Sequence, residues 1–437
     1  MVNIEIFAER RTRLLGKMLP KSVAIIPTAP IANYSHDTDY LFRPDSNFYY
    51  LTGFREPESC AIITNVEGKP GFTLFVRKRD RAMETWTGRR IGVEGAKEKF
   101  KADETFEISE LDEKLAGYLE NTNAIYHFPG KYRAWDKKIL KAWQQVRMKW
   151  RMGIDPPVEL FDLGHIMHEM RLVKTGSDME IMRQACRISA EAVALAMKAA
   201  KPGMNEREIE ALVNHYFRAS GSFGPGFPTI VASGVNATIL HYTENERDIE
   251  KNDLILLDAG CEFEMYNGDI TRTFPASGKF TPEAKSIYEI VLEAQKNGIE
   301  YCTTDKTPDD MHNRAVRILV EGLVHLGFLK GSIDEIIGNE TYKIYYMHKT
   351  GHWLGTDVHD VGSMRKAGEI RKFEPGMVTT VEPGIYLPDD DEDLPKAFRG
   401  IGVRIEDDVH ITIKGPEILT STCPKGIDEI ENFMSGK

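Results

Sequence analysis

The sequence lacks the features that mark membrane, secreted and disulfide-stabilised proteins. It has no apolar run close to the ~18 residues that a membrane-spanning helix needs. Its first residues, MVNIEIFAERRTRLL, contain neither the apolar core nor the small-residue cleavage site of a secretory signal. Its five cysteines are scattered without paired spacing. These absences predict a protein without a membrane segment, with reduced thiols and a cytoplasmic location.

Positive charge is also scarce, since 56 lysine and arginine residues face 67 aspartate and glutamate residues and leave a net charge of −11. An acidic chain does not bind nucleic acid nonspecifically, so we expect no nucleic-acid partner. The rest of the composition is that of a globular protein, with 41% hydrophobic and 28% charged residues. A length of 437 residues predicts two or three domains.

Strand and helix signals alternate in the first part of the chain. Short β-rich runs occur at SVAIIPTA, CAIITNV and FTLFVRK, and apolar residues have helical spacing over 100–120 and 135–152. The segment MGIDPPVELFD then interrupts this pattern, as a linker does. We therefore expect a small α/β N-terminal domain over 1–172 and a larger second domain over 173–437.

The second domain repeats one plan, which predicts an internal duplication. Ser177 and Glu180 have the spacing of a capping box at the start of one helix, and a second helix ends at Gly221. Further along, Thr281 and Pro282 begin another pair of helices. Each pair of helices precedes β-rich runs, so the predicted fold class is α+β.

Three histidines lie within the short segment MHKTGHWLGTDVHD. His348 and His352 have the spacing of a zinc-binding helix, but that motif needs a glutamate straight after the first histidine. Lys349 occupies that position, and Gly351 also separates the pair. The sequence therefore argues against a zinc helix, and the partners of these histidines must come from elsewhere in the chain.

Two aspartates in DLILLDAGCEFEMYNGDITRTFP mark the ends of neighbouring β-rich runs. Asp258 ends the first run, and Asp269 opens the second. In an antiparallel hairpin the two residues can oppose each other directly, with Cβ atoms roughly 4.5–5.5 Å apart. That distance suits a bridged metal and is too short for two uncompensated carboxylates. The alternative is a pair of turn residues, with Asp258 capping the turn before Gly260.

Two glutamates occupy comparable positions further along the chain. Glu382 ends an apolar run in MVTTVEPGIYLP, and Glu406 follows Arg404 in GIGVRIEDDVHIT. By the two-residue period of a strand, Arg404 and Glu406 share one face, opposite the apolar face that contains Ile405. Glutamate is rarely buried without a partner. The alternative for either residue is an exposed glutamate on an edge strand.

These four carboxylates and His352 form a set of ligand-type residues that is rich in oxygen. The charge of the four carboxylates is neutralised by two divalent cations. Oxygen ligands favour harder ions such as Mn2+ over a thiolate-type zinc site. Two cations about 3.5–4 Å apart can bridge a water, lower its pKa and stabilise a developing tetrahedral centre. The predicted chemistry is therefore the hydrolysis of an amide.

The segments that contain these residues resemble the Xaa-Pro aminopeptidases (aminopeptidase P) of the pita-bread metallopeptidase family. The resemblance covers HYTENE, LLDAGCEFEMYNGDITRTFP, HKTGHWLGTDVHDVG, VTTVEPGIY and RGIGVRIEDDV, and it extends into the first domain through RPDSNFYYLTGFREPES and ETWTGRRIG. It implies a C-terminal pita-bread domain with an internal duplication, preceded by the smaller α/β domain. The metal ligands that it implies are Asp258, Asp269, His352, Glu382 and Glu406.

The resemblance also implies catalytic and substrate-binding residues around these ligands. Glu382 would shuttle the proton of a metal-bridging hydroxide. The other residues implied are His241, His348, His359, Tyr386 and Arg404. The histidines would hydrogen-bond the scissile carbonyl and the departing proline nitrogen, the arginine would orient ligands or substrate, and the tyrosine would form a pocket wall. The alternatives are structural histidines, an arginine that merely pairs with the carboxylates, and a packed strand tyrosine.

The activity implied by the resemblance is the removal of the N-terminal residue from peptides with proline second, with two divalent ions per subunit. An Xaa-Pro dipeptidase (prolidase) with the same ligands is the first alternative. A non-catalytic pita-bread module that binds peptides is the second, although such a module is expected to lose ligands that this sequence keeps. The resemblance further implies a homo-oligomer, either dimer or tetramer, in which Trp86 would reach a neighbour's site. The alternative for Trp86 is a packed core residue.

Overall fold

The computed structural model describes residues 3–436, and the chain divides into two compact units, Met1–His168 and Glu169–Lys437. The boundary predicted between residues 172 and 173 falls at the end of the helix Gly164–Leu172, and the boundary between the units lies inside the same helix. Among the described residues, no helix combines the length and the apolar character that crossing a membrane requires.

A mixed sheet organises the first unit. Its strands are β1 (Ser22–Pro27), β2 (Cys60–Thr64), β3 (Phe72–Val76), β4 (Glu104–Glu107), β5 (Ala124–His127) and β6 (Glu159–Asp162). The order across the sheet is β4-β3-β2-β1-β5-β6, in which β1–β2 and β2–β3 are antiparallel and the other neighbours are parallel. Strands β1 to β3 coincide with the predicted β-rich runs, and each of their residues is buried.

The helices of the first unit show that two interpretations of the sequence were wrong. They are α1 (Ile4–Leu15), α2 (Ser46–Thr52), α3 (Arg81–Thr87), α4 (Gly92–Phe100), α5 (Leu111–Leu119) and α6 (Arg133–Arg147). A helix over 100–120 was wrong in its first half, because β4 occupies part of it and pairs with β3. Trp86 on α3 is 85% exposed, so the interpretation of Trp86 as a core residue was also wrong.

Long helices form one layer of the second unit. After α7 (Gly164–Leu172), they are α8 (Gly176–Ala199), α9 (Glu206–Ala219), α10 (Pro282–Glu300), α11 (Pro308–His325), α12 (Ile333–Gly338) and α13 (Ile427–Met434). Thr281 caps α10 and Pro282 is its first residue, as predicted. The capping box of α8 is formed by Thr175 and Asp178 instead of Ser177 and Glu180.

Small antiparallel sheets form the rest of the second unit. Their strands are β7 (Gly224–Pro225), β8 (Ile230–Ser233), β9 (Leu254–Ala259), β10 (Cys261–Phe263), β11 (Tyr266–Asn267), β12 (Ile270–Pro275), β13 (Arg365–Lys366), β14 (Glu369–Ile370), β15 (Val378–Val381), β16 (Gly384–Tyr386), β17 (Gly402–Arg404), β18 (Asp407–Thr412) and β19 (Gly415–Ile418). Helices α8 and α9 precede the sheet β8-β9-β12, and α10 and α11 precede β15-β18-β19. Two helices followed by a three-stranded sheet therefore occur twice, which agrees with the predicted duplication.

One hydrophobic core joins the two halves of this repeat. Buried members of the core come from a helix and a strand of each half, for example Val193 of α8, Leu256 of β9, Val291 of α10 and Val403 of β17. Because apolar side chains hold the strands against the helices, the polar ends of β9, β12, β15 and β17 are free to face a common space. The four predicted carboxylate ligands lie at or next to these strand ends, and His352 comes from an irregular segment.

Candidate active site and metal centre

Asp258 and Asp269 lie at one end of the β9–β12 ladder, although not in the predicted register. Asp258 is opposite Thr271, and the ladder begins at Ala259 and Ile270. The prediction of direct opposition was wrong because the intervening chain forms a second hairpin, β10–β11, instead of a simple loop. Residues two apart on a strand share a face, so Asp269 is on the same side as Thr271 and diagonal to Asp258.

His352 belongs to an irregular segment over 347–360 that contains no helix, which confirms that the zinc-helix motif is absent there. Its carbonyl oxygen accepts hydrogen bonds from Thr380 N and Thr379 Oγ1, both at 3.0 Å. A Cβ atom on Gly351 would lie 2.0 Å from the carbonyl oxygen of Thr380. Only glycine permits this close approach, which holds His352 beside β15 and the adjoining Glu382.

The predicted ligand residues converge on one cavity of about 560 Å³. Those that line it are Asp258, Asp269, His352, Glu382 and Glu406. His352 Nε2 lies 3.5 Å from Asp269 Oδ2 and 3.7 Å from Glu382 Oε1. Ligand atoms of Asp269, His352 and Glu406 all lie within 4.8 Å of one another. One cation could therefore be reached by several of these side chains.

Three of the carboxyl groups have raised pKa values, as expected for acidic groups that are buried together without enough positive charge nearby. Burial, together with the Asp258 carboxylate, raises the pKa of Asp269 to about 6. Burial also raises the pKa of Glu382 to about 7 and that of Glu406 well above its usual range. Asp258 Oδ1 is buried and has no hydrogen-bond partner among residues 3–436. Divalent cations would satisfy both the charges and this oxygen, so the residues fit a metal centre.

His352 is held in its charged form by the same carboxylates. Burial opposes the charge, yet the hydrogen bond to Asp269 and the Glu382 carboxylate raise the pKa of His352 to about 9. A metal ligand must give up this proton, because only the neutral imidazole has a lone pair for a cation. Cation binding at this site is therefore coupled to proton release.

Arg404 connects two of the ligand residues through hydrogen bonds. Its Nη2 donates to Asp258 Oδ2 at 2.7 Å, and its Nε donates to Thr271 Oγ1 at 3.2 Å. The Thr271 hydroxyl donates in turn to Glu406 Oε2 at 2.7 Å. Arg404 Nη1 donates to the Tyr386 hydroxyl at 3.1 Å. Arg404 lines the cavity, whereas Tyr386 is buried behind it and does not form the predicted pocket wall.

The three pocket histidines differ in what their ring nitrogens can do. Burial and the nearby Arg404 lower the pKa of His348 to about 4, so this imidazole is neutral. His348 Nδ1 must donate to the Lys349 carbonyl at 2.8 Å, and Nε2 then accepts from the Tyr386 hydroxyl at 2.8 Å. His241 and His359 also line the cavity, and neither forms a hydrogen bond within residues 3–436. They have ring nitrogens available for a ligand, whereas both nitrogens of His348 are engaged.

A buried ion-pair cluster holds the segment that carries His359. Arg171 Nη2 lies 2.6 Å from Asp357 Oδ2 and 2.5 Å from Asp360 Oδ1, and Lys174 Nζ lies 3.3 Å from Asp360 Oδ2. Because His359 lies between the two aspartates in the chain, this cluster limits where its ring can move. Sequence reasoning missed the cluster, since its partners are far apart in the chain.

An apolar wall also escaped the sequence analysis. It is formed by Phe227, Pro228, Ile230, Leu240 and Val358. Three further lining residues, Thr243, Lys349 and Gly351, were not predicted to contact a ligand. Leu240 adjoins HYTENE and Val358 lies within the histidine segment, whereas Phe227, Pro228 and Ile230 belong to a stretch without any chemical motif. Apolar walls with a few convergent polar groups are typical of ligand sites.

Comparison with known families defines the class of protein. The model of metallopeptidase family M24 matches residues 180–413, and the model of the aminopeptidase P N-terminal domain matches residues 7–126. The chain therefore belongs to metallopeptidase family M24, and the predicted combination of an N-terminal domain and a pita-bread domain is confirmed.

Several relatives and solved structures resemble the chain over its full length. The Xaa-Pro aminopeptidase of Haemophilus influenzae is 42% identical over 431 residues, which cover 99% of this chain and 97% of that protein. An aminopeptidase of Pseudomonas aeruginosa, PepP, has a TM-score of 0.98 at 44% identity and covers 100% of this chain and 98% of its own. Escherichia coli aminopeptidase P in complex with substrate has a TM-score of 0.96 at 41% identity, with coverage of 100% and 99%.

A dipeptidase is among the more distant relatives. The Xaa-Pro dipeptidase of Homo sapiens is 33% identical over 481 residues, which cover 100% of this chain and 94% of that protein. The identity to the Haemophilus aminopeptidase is higher, at 42%. Sequence similarity therefore favours the aminopeptidases over the dipeptidase.

Divalent cations are expected to stabilise this protein, and Glu406→Gln should remove much of that effect. A ligand at a hundredfold excess over its Kd stabilises the folded state by about 2.7 kcal/mol. Burial already raises the pKa of Glu406 well above its usual range, so a neutral glutamine should cost little in the metal-free protein. We expect Tm to rise with MnCl2 in the wild type and to rise much less in Glu406→Gln, as measured by thermal unfolding.

Glu293→Gln is the matched control, because Glu293 is exposed on α10, outside the cavity, where its side chain accepts a hydrogen bond from Asn297 in the next helical turn. Its Tm should respond to MnCl2 as the wild type does. An equal rise in Glu406→Gln and in the wild type would contradict the assignment of Glu406 as a ligand.

Proposed function

We propose that this metallopeptidase is an Xaa-Pro aminopeptidase, which releases the N-terminal residue from peptides with proline at the second position. The observation that carries the proposal is the convergence of the buried Asp258, Asp269 and Glu406, the partly buried Glu382 and His352 on one cavity with an apolar wall. The 42% identity to an Xaa-Pro aminopeptidase over almost the whole chain supports the proposed substrate class.

The ligand-type residues would hold two divalent cations, for which we propose Mn2+ because oxygen ligands dominate the site. When bound, the cations would supply a water of lowered pKa and polarise the scissile carbonyl. Asp258 would also attract the free α-ammonium group of the peptide, which is why cleavage would be restricted to the first residue. Arg404 supports this arrangement, since its 2.7 Å hydrogen bond fixes the orientation of the Asp258 carboxylate.

Glu382 would hold and deliver the proton of the reaction. Its carboxylate lines the cavity, and Thr380 Oγ1 lies 3.4 Å from Glu382 Oε1, which limits its rotation. A proline peptide bond has no N–H, so the proline nitrogen must receive a proton to leave as a secondary amine. Glu382 can supply that proton after taking it from the attacking water.

The histidines would recognise the reacting amide in different ways. His241 and His359 have ring nitrogens available to hydrogen-bond the scissile carbonyl or the departing nitrogen. His348 would act mainly as a neutral wall, because its own nitrogens are engaged by Lys349 and by the Tyr386 hydroxyl. The proposed substrate contacts of His348 and Tyr386 are therefore less direct than those of His241 and His359.

The proposal includes an assembly state and a location. We propose a homo-oligomer, either dimer or tetramer, because Trp86 and Met83 expose apolar surface on the short helix α3. We propose a cytoplasmic location because the five cysteines are free buried thiols, which suits a reducing compartment. The oligomeric state is measured by light scattering, and Trp86→Ala is expected to weaken the assembly.

Chelation is expected to abolish activity, and MnCl2 should restore it. After treatment with a chelator and dialysis, the protein is assayed on Xaa-Pro-Yaa-Yaa, Xaa-Pro and Xaa-Ala-Yaa-Yaa peptides with defined metals. We expect rapid release of the first residue from Xaa-Pro-Yaa-Yaa, slower cleavage of Xaa-Pro, and little cleavage of the alanine peptide. Metal content is measured in the same samples by mass spectrometry.

The same assay distinguishes the alternative functions. Faster cleavage of Xaa-Pro than of Xaa-Pro-Yaa-Yaa would favour the dipeptidase, which the 33% identity to the human enzyme keeps as the second candidate. Absence of cleavage by protein that binds manganese would contradict both peptidase functions.

A further inference from the structure

Among the described residues that line the cavity, the cationic side chains are those of Lys349 and Arg404. The two differ in burial and in the number of their hydrogen-bond partners. Arg404 is buried and forms hydrogen bonds to Asp258, Tyr386 and Thr271. The Lys349 side chain is 70% exposed, and its Nζ lies 3.9 Å from Oδ1 of the half-exposed Asp309. An exposed ion pair of this length contributes little, so the ammonium group can exchange Asp309 for another anion.

The backbone around Lys349 is held by more contacts than its exposed side chain. Its carbonyl oxygen accepts the hydrogen bond from His348 Nδ1 at 2.8 Å. The next residue, Thr350, is buried, and its hydroxyl is within 2.8 Å of His312 Nδ1 and 2.7 Å of the Tyr346 hydroxyl. A flexible cationic side chain therefore extends from a rigid position at the mouth of the cavity.

We propose that Lys349 is a specificity-determining residue whose ammonium group binds a carboxylate on the leaving part of the peptide substrate. The carboxylate is either the C-terminus of a tripeptide or the side chain of an acidic third residue. This proposal rests on the proposed aminopeptidase activity, because that activity defines which end of the peptide leaves.

Electrostatics assigns Lys349 to the leaving part of the substrate. The other end of the peptide carries an α-ammonium group, which the four carboxylates of the cavity attract and which Lys349 repels. In a tripeptide the leaving part consists of proline and one further residue, which together span at most about 7 Å. Its carboxylate therefore stays close to the cavity mouth, where Lys349 lies. A peptide of four or more residues with a neutral third residue carries no negative charge at this distance, because its C-terminus lies further along the chain.

The proposal is tested on manganese-loaded full-length protein with two pairs of peptides. Ala-Pro-Ala and its C-terminal amide test the terminal carboxylate, and Ala-Pro-Glu-Ala-Ala and Ala-Pro-Gln-Ala-Ala, both amidated, test an acidic third residue. The wild type should prefer the carboxylate member of at least one pair by about fivefold in kcat/KM, the factor that a partly exposed ion pair supplies. The preference should come from KM and should shrink at high salt.

Lys349→Gln should reduce this preference to about one while leaving kcat on the neutral peptides unchanged. The matched control is Lys285→Gln, because Lys285 forms an exposed ion pair of the same 3.9 Å length with Glu289 and lies outside the cavity. Lys285→Gln should keep the preference of the wild type. A wild type with no preference in either pair, or a Lys349→Gln variant that keeps the preference, would overturn the proposal.

Binding of product dipeptides separates this proposal from the proposed activity. Calorimetry on manganese-loaded protein compares prolyl-alanine with prolyl-alaninamide, and we expect tighter binding of the free acid by the wild type but not by Lys349→Gln. This difference in a protein that cleaves no proline peptide would support the carboxylate site and overturn the aminopeptidase. Cleavage of proline peptides without a difference in binding or in kcat/KM would support the aminopeptidase and overturn the carboxylate site.

Discussion

Glu382→Gln is expected to lower kcat on a proline-second peptide by about a thousandfold, within the range that a positioned acid–base group supplies. Glutamine keeps the shape of the side chain but can neither take up a proton nor carry the negative charge. In the metal-free site burial raises the pKa of Glu382 to about 7, so little free energy separates its charged and protonated forms there at neutral pH.

The measurement must separate loss of the proton shuttle from loss of metal, because Glu382 is also a proposed ligand. Turnover is therefore related to the manganese content of the same sample, at concentrations of MnCl2 that saturate the variant. The control is again Glu293→Gln, which should keep the kcat of the wild type. A manganese-loaded Glu382→Gln protein with the turnover of the wild type would contradict the role of Glu382 in proton transfer.

The convergence of the four predicted carboxylate ligands was accessible from sequence because each lies at or near the end of a β-rich run, whereas His352 was found from the histidine-rich segment. Asp258 is the penultimate residue of β9 and Glu382 immediately follows β15, so apolar neighbours anchor the strand while the polar residue faces the cavity. The same logic placed Arg404 and Glu406 on one face, since β17 has a two-residue period. The sequence pattern therefore predicts where a side chain lies when the neighbouring residues of the same strand determine its position.

The errors arose where distant parts of the chain decide the local structure. The segment 100–120 has helical spacing, but its first part pairs in parallel with β3 and becomes a strand. Asp269 is displaced from direct opposition to Asp258 by the β10–β11 hairpin, which the turn signals did not reveal. The family resemblance implied that Tyr386 is a pocket wall, but its hydroxyl bonds to Arg404 and His348 behind the cavity.

The limits of sequence reasoning are clearest for the walls and supports of the site. Phe227 and Leu240 carry no chemical signature, and their role follows only from their position around the cavity. Arg171 and Asp360 are both buried and pair across a long stretch of chain, so neither residue signals its partner. Long-range pairing of this kind needs the folded structure, because no local periodicity encodes it.

Arg272→Met is expected to lower the free energy of unfolding by about 3–5 kcal/mol, the cost of breaking a buried ion pair by removing one partner. Both the Arg272 and the Asp407 side chains are 0% exposed, and Nη2 lies 2.8 Å from Oδ1. Arg272 also donates to the carbonyl oxygens of Glu406 and Cys423. Methionine fills a similar volume but leaves these oxygens without that donor. Asp407 then keeps Lys425 as its cationic partner, at 2.5 Å, and the hydrogen bonds donated by Gln295 and Thr420.

The same substitution should make the protein more sensitive to acid. Burial opposes the charge of Asp407, but Arg272 and Lys425 hold the pKa of Asp407 well below its usual range. Stability from this group is present above the pKa of the unfolded state, about 3.9, and is lost as the pH falls through the folded pKa. Without Arg272 the folded pKa rises, so acid unfolding should begin at a higher pH.

Arg317→Met provides the matched control for burial. Arg317 pairs with Asp334 at 2.7 Å, but these side chains are 45% and 82% exposed, so the pair is worth about 0–1 kcal/mol. Urea unfolding of the metal-free proteins should therefore separate the two variants by several kcal/mol, and Arg272→Met should in addition bind Mn2+ more weakly, because Arg272 holds the backbone of Glu406. Equal small losses in both variants would mean that Lys425 compensates Asp407 by itself, and that burial does not set the strength of this ion pair.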